Sequence, residues 1–190
     1  MYLFFDTETT GIPANYRAPA SDSKNWPRLV QVGWLLTDET AKQIESTEYI
    51  IKPDGYTIPQ DAAKIHGITT EIALKNGSKL RNILRILKEK IEFADVLVAH
   101  NMQFDEKILG AEFLRCGFPN IIETKPRICT MLASTDFCQI SGPYGYKWPS
   151  LQTLYRKLFK RPIPGAHTAL VDTQACAAFL FYLKRLRVIV

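Results

Sequence analysis

Residues 2–5, YLFF, form a continuous apolar run without alternation, the pattern of a central strand covered on both faces. Two more strands are predicted at 29–37 (LVQVGWLLT) and 46–53 (STEYIIKP), with a turn around Asp38 to Lys42. The Pro-, Asn- and Ser-rich stretch 13–28 predicts an inserted loop between the first two strands. In 78–91, Leu80, Ile83, Leu84, Leu87 and Ile91 share one helical stripe opposite a charged face, which predicts an amphipathic helix. A buried strand at 95–101 leads into a helix over 104–117 closed by Gly117. RICTML (127–132) suits a short last strand running into a helix. After a loop at 139–149, apolar residues at 151, 154, 155, 158 and 159 mark a second amphipathic helix, and 168–187 the closing one. Three leading strands, then helices alternating with short strands, imply an α/β domain with a mixed sheet.

A length of 190 residues fits one domain, 1–190, large enough to bury a substantial core. The opening stretch lacks a basic segment and cleavage site, and no apolar run approaches the roughly 18 residues of a membrane span. The expectation is a soluble, cytoplasmic protein with no membrane partner. Cys116, Cys129, Cys138 and Cys176 contain no C-x-x-C pair and read as reduced thiols. The net charge of +5 is unevenly spread: residues 125–190 carry ten Lys and Arg against Asp136 and Asp172 alone. A basic third of this kind suits a polyanion, because Lys and Arg replace the counterions condensed on phosphates; a solvated surplus without a partner produces the same count.

Chemistry concentrates in the acids. Asp6 and Glu8 are two apart, so they share a face if the first strand persists that far. Asp105 falls in the first turn of a helix, where the dipole favours an anion whether or not the residue has a function. Asp172 lies four, seven and eleven residues before Cys176, Phe179 and Leu183, on the stripe that the closing helix should bury. Burying an unpaired carboxylate costs several kcal/mol or more, and four acids repel one another, so a divalent metal is the economical solution. Oxygen donors suit Mg²⁺ or Mn²⁺, and two such ions balance Asp6, Glu8, Asp105 and Asp172. His167 is expected on the loop before the closing helix, where it either reaches an attacking water or is a surface histidine near a helix start. His100 reads as a satisfied buried histidine.

Taken in order, FDTETTG (5–11), HNMQFD (100–105) and HTALVD (167–172) resemble the three motifs of the DEDDh branch of proofreading, DnaQ-like 3′-to-5′ exonucleases, in the ribonuclease H-like superfamily. HGIT (66–69) is similar to a short segment that the family carries between its first two motifs. The resemblance spans residues 2 to about 182 and implies a five-stranded mixed sheet, second strand antiparallel, flanked by helices. It implies that Asp6 bridges two Mg²⁺ ions, with Mn²⁺ able to substitute. Glu8 and Asp172 would complete one metal site and Asp105 would serve the other, partly through water. His167 would be the general base, and nucleoside 5′-monophosphates the products. Thr9, Thr10, Gly11 and Ile12 fall where the family cradles the terminal nucleotide, and His66, Asn101 and Phe104 where it is held. A Thr-Thr-Gly turn that merely ends a strand accounts for its residues as well. The implied partners are single-stranded or frayed 3′ ends, DNA favoured, and a DNA polymerase. An exoribonuclease or oligoribonuclease of the same branch would carry the same catalytic residues, and a non-catalytic binding module is the more distant alternative. Tyr144, Tyr146 and Trp148 interleave with Lys147 as base-stacking surfaces do, or as ordinary loop packing does.

Overall fold

The computed structural model describes residues 1–165 and 168–189. Strand β1 (Tyr2–Thr9) lies at the centre of a five-stranded sheet of order β3-β2-β1-β4-β5, with β2 at Leu29–Thr37, β3 at Gln43–Ile50, β4 at Val96–Ala99 and β5 at Arg127–Cys129. β2 runs antiparallel to β1 and β3, whereas β4 pairs parallel to β1 and β5 parallel to β4. This is the mixed sheet with an antiparallel second strand that the motifs imply.

The unbroken apolar run of β1 has a simple cause: both its faces are covered. Leu3 and Phe5 pack with helix α3 (Leu80–Phe93) through Ile83, Leu84, Leu87 and Ile91, and with α4 (Met102–Arg115) through Ile108, Leu109 and Phe113. Phe4, with Leu35 of β2 and Val98 of β4, packs on the other face against Cys176, Ala177 and Leu180 of α8 (Ala169–Arg185). β2 is buried along its whole length. At rough transfer values of 1.5–3 kcal/mol per large apolar side chain, these two layers supply the main drive for folding.

Several boundaries differ from the sequence reading. β3 begins at Gln43 rather than 46, because the Asp38 side chain accepts hydrogen bonds from the Thr40 and Lys42 amides and the strand resumes directly after this tight turn. Residues 54–77 hold two unanticipated seven-residue helices, α1 (Gln60–His66) and α2 (Thr70–Asn76), too short to show a repeating stripe. Gly67 takes φ +76° to end the first, and the Thr69 hydroxyl accepts from the Ile72 amide to start the second. The stretch 139–149 is not a plain loop: Ile140–Gly142 (β6) and Gly145–Lys147 (β7) form a hairpin that leaves Tyr144 and Trp148 exposed. Short helices at Thr130–Ala133 (α5) and Thr135–Cys138 (α6) precede it, and α7 (Leu151–Phe159) follows.

The insertion 13–28 is irregular but anchored. Trp26 is buried, its indole N–H donating to the Pro19 carbonyl at 3.0 Å. Glu112 of α4, fully buried, accepts from Arg28 Nε at 2.9 Å and the Leu29 amide at 3.0 Å, and pairs with Arg115 at 3.0 Å. Arg115 also donates to the carbonyls of Ser23, Trp26 and Pro27.

Helix and sheet approach closely at Gly33 of β2. A Cβ there would lie 2.6 Å from both the Ala169 carbonyl carbon and the Leu170 nitrogen, so the first turn of α8 rests on bare backbone. That turn is capped from the sheet: Gln31 Oε1 accepts from the Ala169 amide at 3.0 Å and Glu48 Oε2 from the Leu170 amide at 3.3 Å. Thr173 Oγ1 donates to the Gly33 carbonyl at 3.2 Å. Gly33→Ala is therefore expected to cost about 1–3 kcal/mol, the usual penalty of overpacking, as read by urea denaturation; an unchanged midpoint would contradict this packing.

Candidate active site

Asp6 and Glu8 project from the last half of β1, and the strand does persist through them to Thr9. By strand alternation they share the Phe4 face, the face covered by α8. On α8, Asp172, Cys176 and Leu180 follow one another at four-residue steps, so the acid continues the row that packs on Phe4. As a result, carboxylate oxygens of Asp6, Glu8 and Asp172 all lie within 4.8 Å of one another. Asp105 arrives from the opposite face, in the first turn of α4, and is 3% exposed. Its carboxylate accepts from the Thr7 hydroxyl at 2.7 Å, Thr7 being the residue between the two strand acids.

The electrostatics record the crowding. Burial first, then Asp105, Asp172 and Glu8, push the Asp6 carboxyl well above its ordinary range. Glu8 is raised to about 7 by burial and by Asp172. Asp105 also rises to about 7, burial outweighing the hydrogen bonds from Thr7, with Glu8 adding to the rise. A cluster of this kind is suited to a hard dication, which removes both the repulsion and the desolvation penalty. His167, the fifth expected residue, lies outside the described residues.

The nucleotide-holding candidates also converge. Thr9, Thr10, Gly11, Ile12, His66 and Phe104 line one cavity of about 330 Å³, which Thr7 and Glu8 border and which α1 closes with Ala62 and Ile65. Ile12 stands at its rim, 74% exposed. His66 is buried, its Nδ1 accepting from the Ile68 amide at 3.1 Å, and burial holds its pKa below the ordinary imidazole value. Asn101 is not among the lining residues. It takes φ +79°, ψ +47° at the bend from β4 into α4, and its carbonyl accepts from the Phe104 amide at 2.8 Å. His100 is satisfied as expected, with Nδ1 3.0 Å from the Thr130 hydroxyl and Nε2 3.0 Å from the Pro149 carbonyl; burial lowers its pKa to about 4.

The sequence reading passed over Thr7, although alternation along β1 already turned it away from Asp6 and Glu8. It also missed Gln31 and Glu48, which cap the helix carrying Asp172 and which no local pattern marks. The α1 wall of the cavity was missed together with its helix.

The mixed sheet and its flanking helices are those of the ribonuclease H-like fold. The RNase_T family, described as exonuclease, matches residues 3–180, and the chain belongs to that family. It is 29% identical over 180 residues to the PolC-type DNA polymerase III of Streptococcus sanguinis, a match covering 95% of this chain and 11% of the polymerase. It is 34% identical over 115 residues to the DNA polymerase III subunit epsilon of Treponema pallidum, covering 60% of this chain and 47% of the subunit. E. coli exonuclease I in complex with a dT13 oligonucleotide has the same fold, with a TM-score of 0.77 at 21% identity over 98% of this chain and 42% of that one. The chain thus spans about a tenth of the PolC-type relative and less than half of exonuclease I. No helix among the described residues is long and apolar enough to cross a membrane.

The raised carboxylates have a consequence for stability. Glu8 and Asp105 titrate near 7 in the folded chain but near 4 when unfolded, so between about pH 4 and 7 the folded chain binds more protons. These acids, with Asp6, therefore pull stability down as pH rises through that window, against the opposite contribution of His100 and His66, whose imidazoles are held below their ordinary pKa. In EDTA, calorimetric melting temperature should decline from pH 5 to pH 7.5, and Glu8→Gln should flatten the decline. A Glu8→Gln profile parallel to that of the unaltered protein would contradict the geometry.

Proposed function

We propose that residues 1–190 form one DEDDh-type 3′-to-5′ exonuclease domain, metal-dependent and acting preferentially on DNA. The observation that carries this reading is the meeting of Asp6, Glu8 and Asp172 within 4.8 Å, beside the cavity formed by Thr9 to Ile12, His66 and Phe104. The donor set fits Mg²⁺, with Mn²⁺ a substitute: it is all oxygen, densely charged, and raised in pKa by burial and mutual repulsion. Asp6, Glu8 and Asp172 would hold one ion, and Asp105 with Asp6 the second. When bound, the ions supply Lewis-acid stabilisation of the charge that develops on phosphate during in-line displacement.

The residues of the chain do the rest. The cavity takes the terminal nucleotide, Thr9 to Gly11 presenting backbone and Ile12 lying against the base. Thr7 holds Asp105 in place, so that the opposite face of the sheet contributes its carboxylate without rearrangement. His167 takes the proton of the attacking water. The oxygen of that water bonds to phosphorus as the bond from phosphorus to the penultimate 3′ oxygen breaks, which releases a nucleoside 5′-monophosphate. The basic last third of the chain draws the strand in. The polymerase relatives favour a DNA polymerase as partner, and the dT13 complex of exonuclease I favours a single-stranded or frayed 3′ end as substrate; the proposed setting is the cytoplasm.

Incubating 5′-labelled single-stranded DNA, mismatched duplex and RNA with the protein and Mg²⁺ tests this. Stepwise shortening from the 3′ end is expected, fastest on DNA; faster loss of RNA would favour the exoribonuclease reading, and internal fragments or no cleavage would overturn both. Asp6→Ala should lower the rate about a thousandfold or more while circular dichroism stays unchanged.

A further inference from the structure

A second cavity, of about 550 Å³, lies at the far end of α4 from Asp105. Four segments build it: Arg28 at the head of β2, the stretch 51–56 after β3, the start of α3 at Lys79 to Arg81, and the end of α4 at Arg115 and Cys116. Arg28, Lys52, Lys79, Arg81 and Arg115 line it against a single lining carboxylate, Asp54. Even with Glu112, which pairs with Arg28 and Arg115 behind the wall, the cations are in excess by three.

The guanidiniums are fixed in place. Arg28 is held by Glu112 and stacks over the Tyr56 ring at 4.3 Å. Arg81 donates to the Cys116 carbonyl and lies 4.6 Å over the Phe118 ring. Lys52 and Lys79, by contrast, make no side-chain hydrogen bond or ion pair among the described residues. The fourteen-residue helix α3 begins at this wall with no side-chain cap and no acid in its first turn. Rigid guanidiniums, two uncommitted ammonium groups and a helix amide end are the donors that a phosphate requires. The concave shape concentrates their field, and the volume exceeds that of a bare phosphate, within the roughly 300–1,000 Å³ of small-molecule sites.

The two cavities share a wall. Arg28 and Thr10 exchange hydrogen bonds, the Arg28 amide to Thr10 Oγ1 and the Thr10 amide to the Arg28 carbonyl, each at 2.9 Å. Thr10 lines the nucleotide cavity and Arg28 this one.

We infer that this basic cavity is a second phosphate site, separate from the carboxylate cluster, that binds the phosphate of a nucleotide. The phosphate comes either from a free mononucleotide or from a polynucleotide strand. The inference does not require hydrolysis, and its test omits metal so that no ion at the carboxylates can recruit phosphate.

In EDTA, calorimetric titration with inorganic phosphate, adenosine 5′-monophosphate and a short oligodeoxynucleotide is compared between the protein and Lys52→Glu/Lys79→Glu. Binding of the mononucleotide, weakened tenfold or more in the variant, is expected and identifies a free nucleotide. Binding of the oligonucleotide alone, weakened equally, assigns the phosphate to a strand. Lys52→Gln/Lys79→Gln, which adds no negative charge, should weaken binding to an intermediate degree, and Mg²⁺-dependent release from a dinucleotide should continue unchanged in both variants. Failure of every probe to bind, or equal binding by the variants, overturns the site. Binding without any hydrolysis leaves it standing and overturns the exonuclease reading instead.

Discussion

Asp172 depends on a contact between two backbones. The first turn of α8 lies against β2 at Gly33, closer than any side chain permits, and Gln31 and Glu48 of the sheet satisfy its leading amides. The register carries the consequence to β1, where Asp6 pairs opposite Gly33 and Glu8 opposite Gln31. The residue that lets the helix approach and the residue that caps it are therefore the cross-strand neighbours of the two strand acids. Moving the helix outward would widen the gap to Asp6 and Glu8 and uncap Ala169 together. Position and capping are one constraint, which is why the acids meet within 4.8 Å.

Such a meeting is unfavourable taken alone. Buried carboxylates raise one another's pKa, and the apolar layers on either side hold them together against that repulsion. Phe4 and Phe5 are essentially inaccessible, so β1 cannot yield where it carries the acids. Local instability of this kind, held by a rigid surround, keeps the carboxylate oxygens preorganised.

Much of this was legible in the chain. The run YLFF, the stripe from Leu80 to Ile91 and the position of Asp172 ahead of Cys176 each follow from periodicity, and β2 was read to the residue because it is buried throughout. What escaped was non-local or too short to be periodic. α1 and α2 have one buried face of a residue or two each, and β3 presents polar side chains at an edge. Glu112 carries no local sign of its role until Arg28, 84 residues earlier, is folded against it. The capping of α8 by Gln31 spans 138 residues, beyond any local rule.

The topology explains why Asp105 has to come from the other side. A strand offers only alternate residues to one face, so β1 gives Asp6 and Glu8 to α8 and turns Thr7 away from them. A further acid on the α8 face would only enlarge one crowded patch. Ligands around a cation must instead surround the strand's end, and the parallel pairing of β1 with β4 permits this, because α4 starts where β4 stops. The carboxyl ends of parallel strands open a crevice toward which the next helix points its N-terminus. Asn101, in the left-handed region, makes the turn tight enough that Asp105 falls in the first helical turn, where the dipole offsets part of its burial. Thr7 then serves as the hinge between faces: its hydroxyl reaches Asp105 from the strand that holds the other two acids, and joins the halves of the site through one short hydrogen bond.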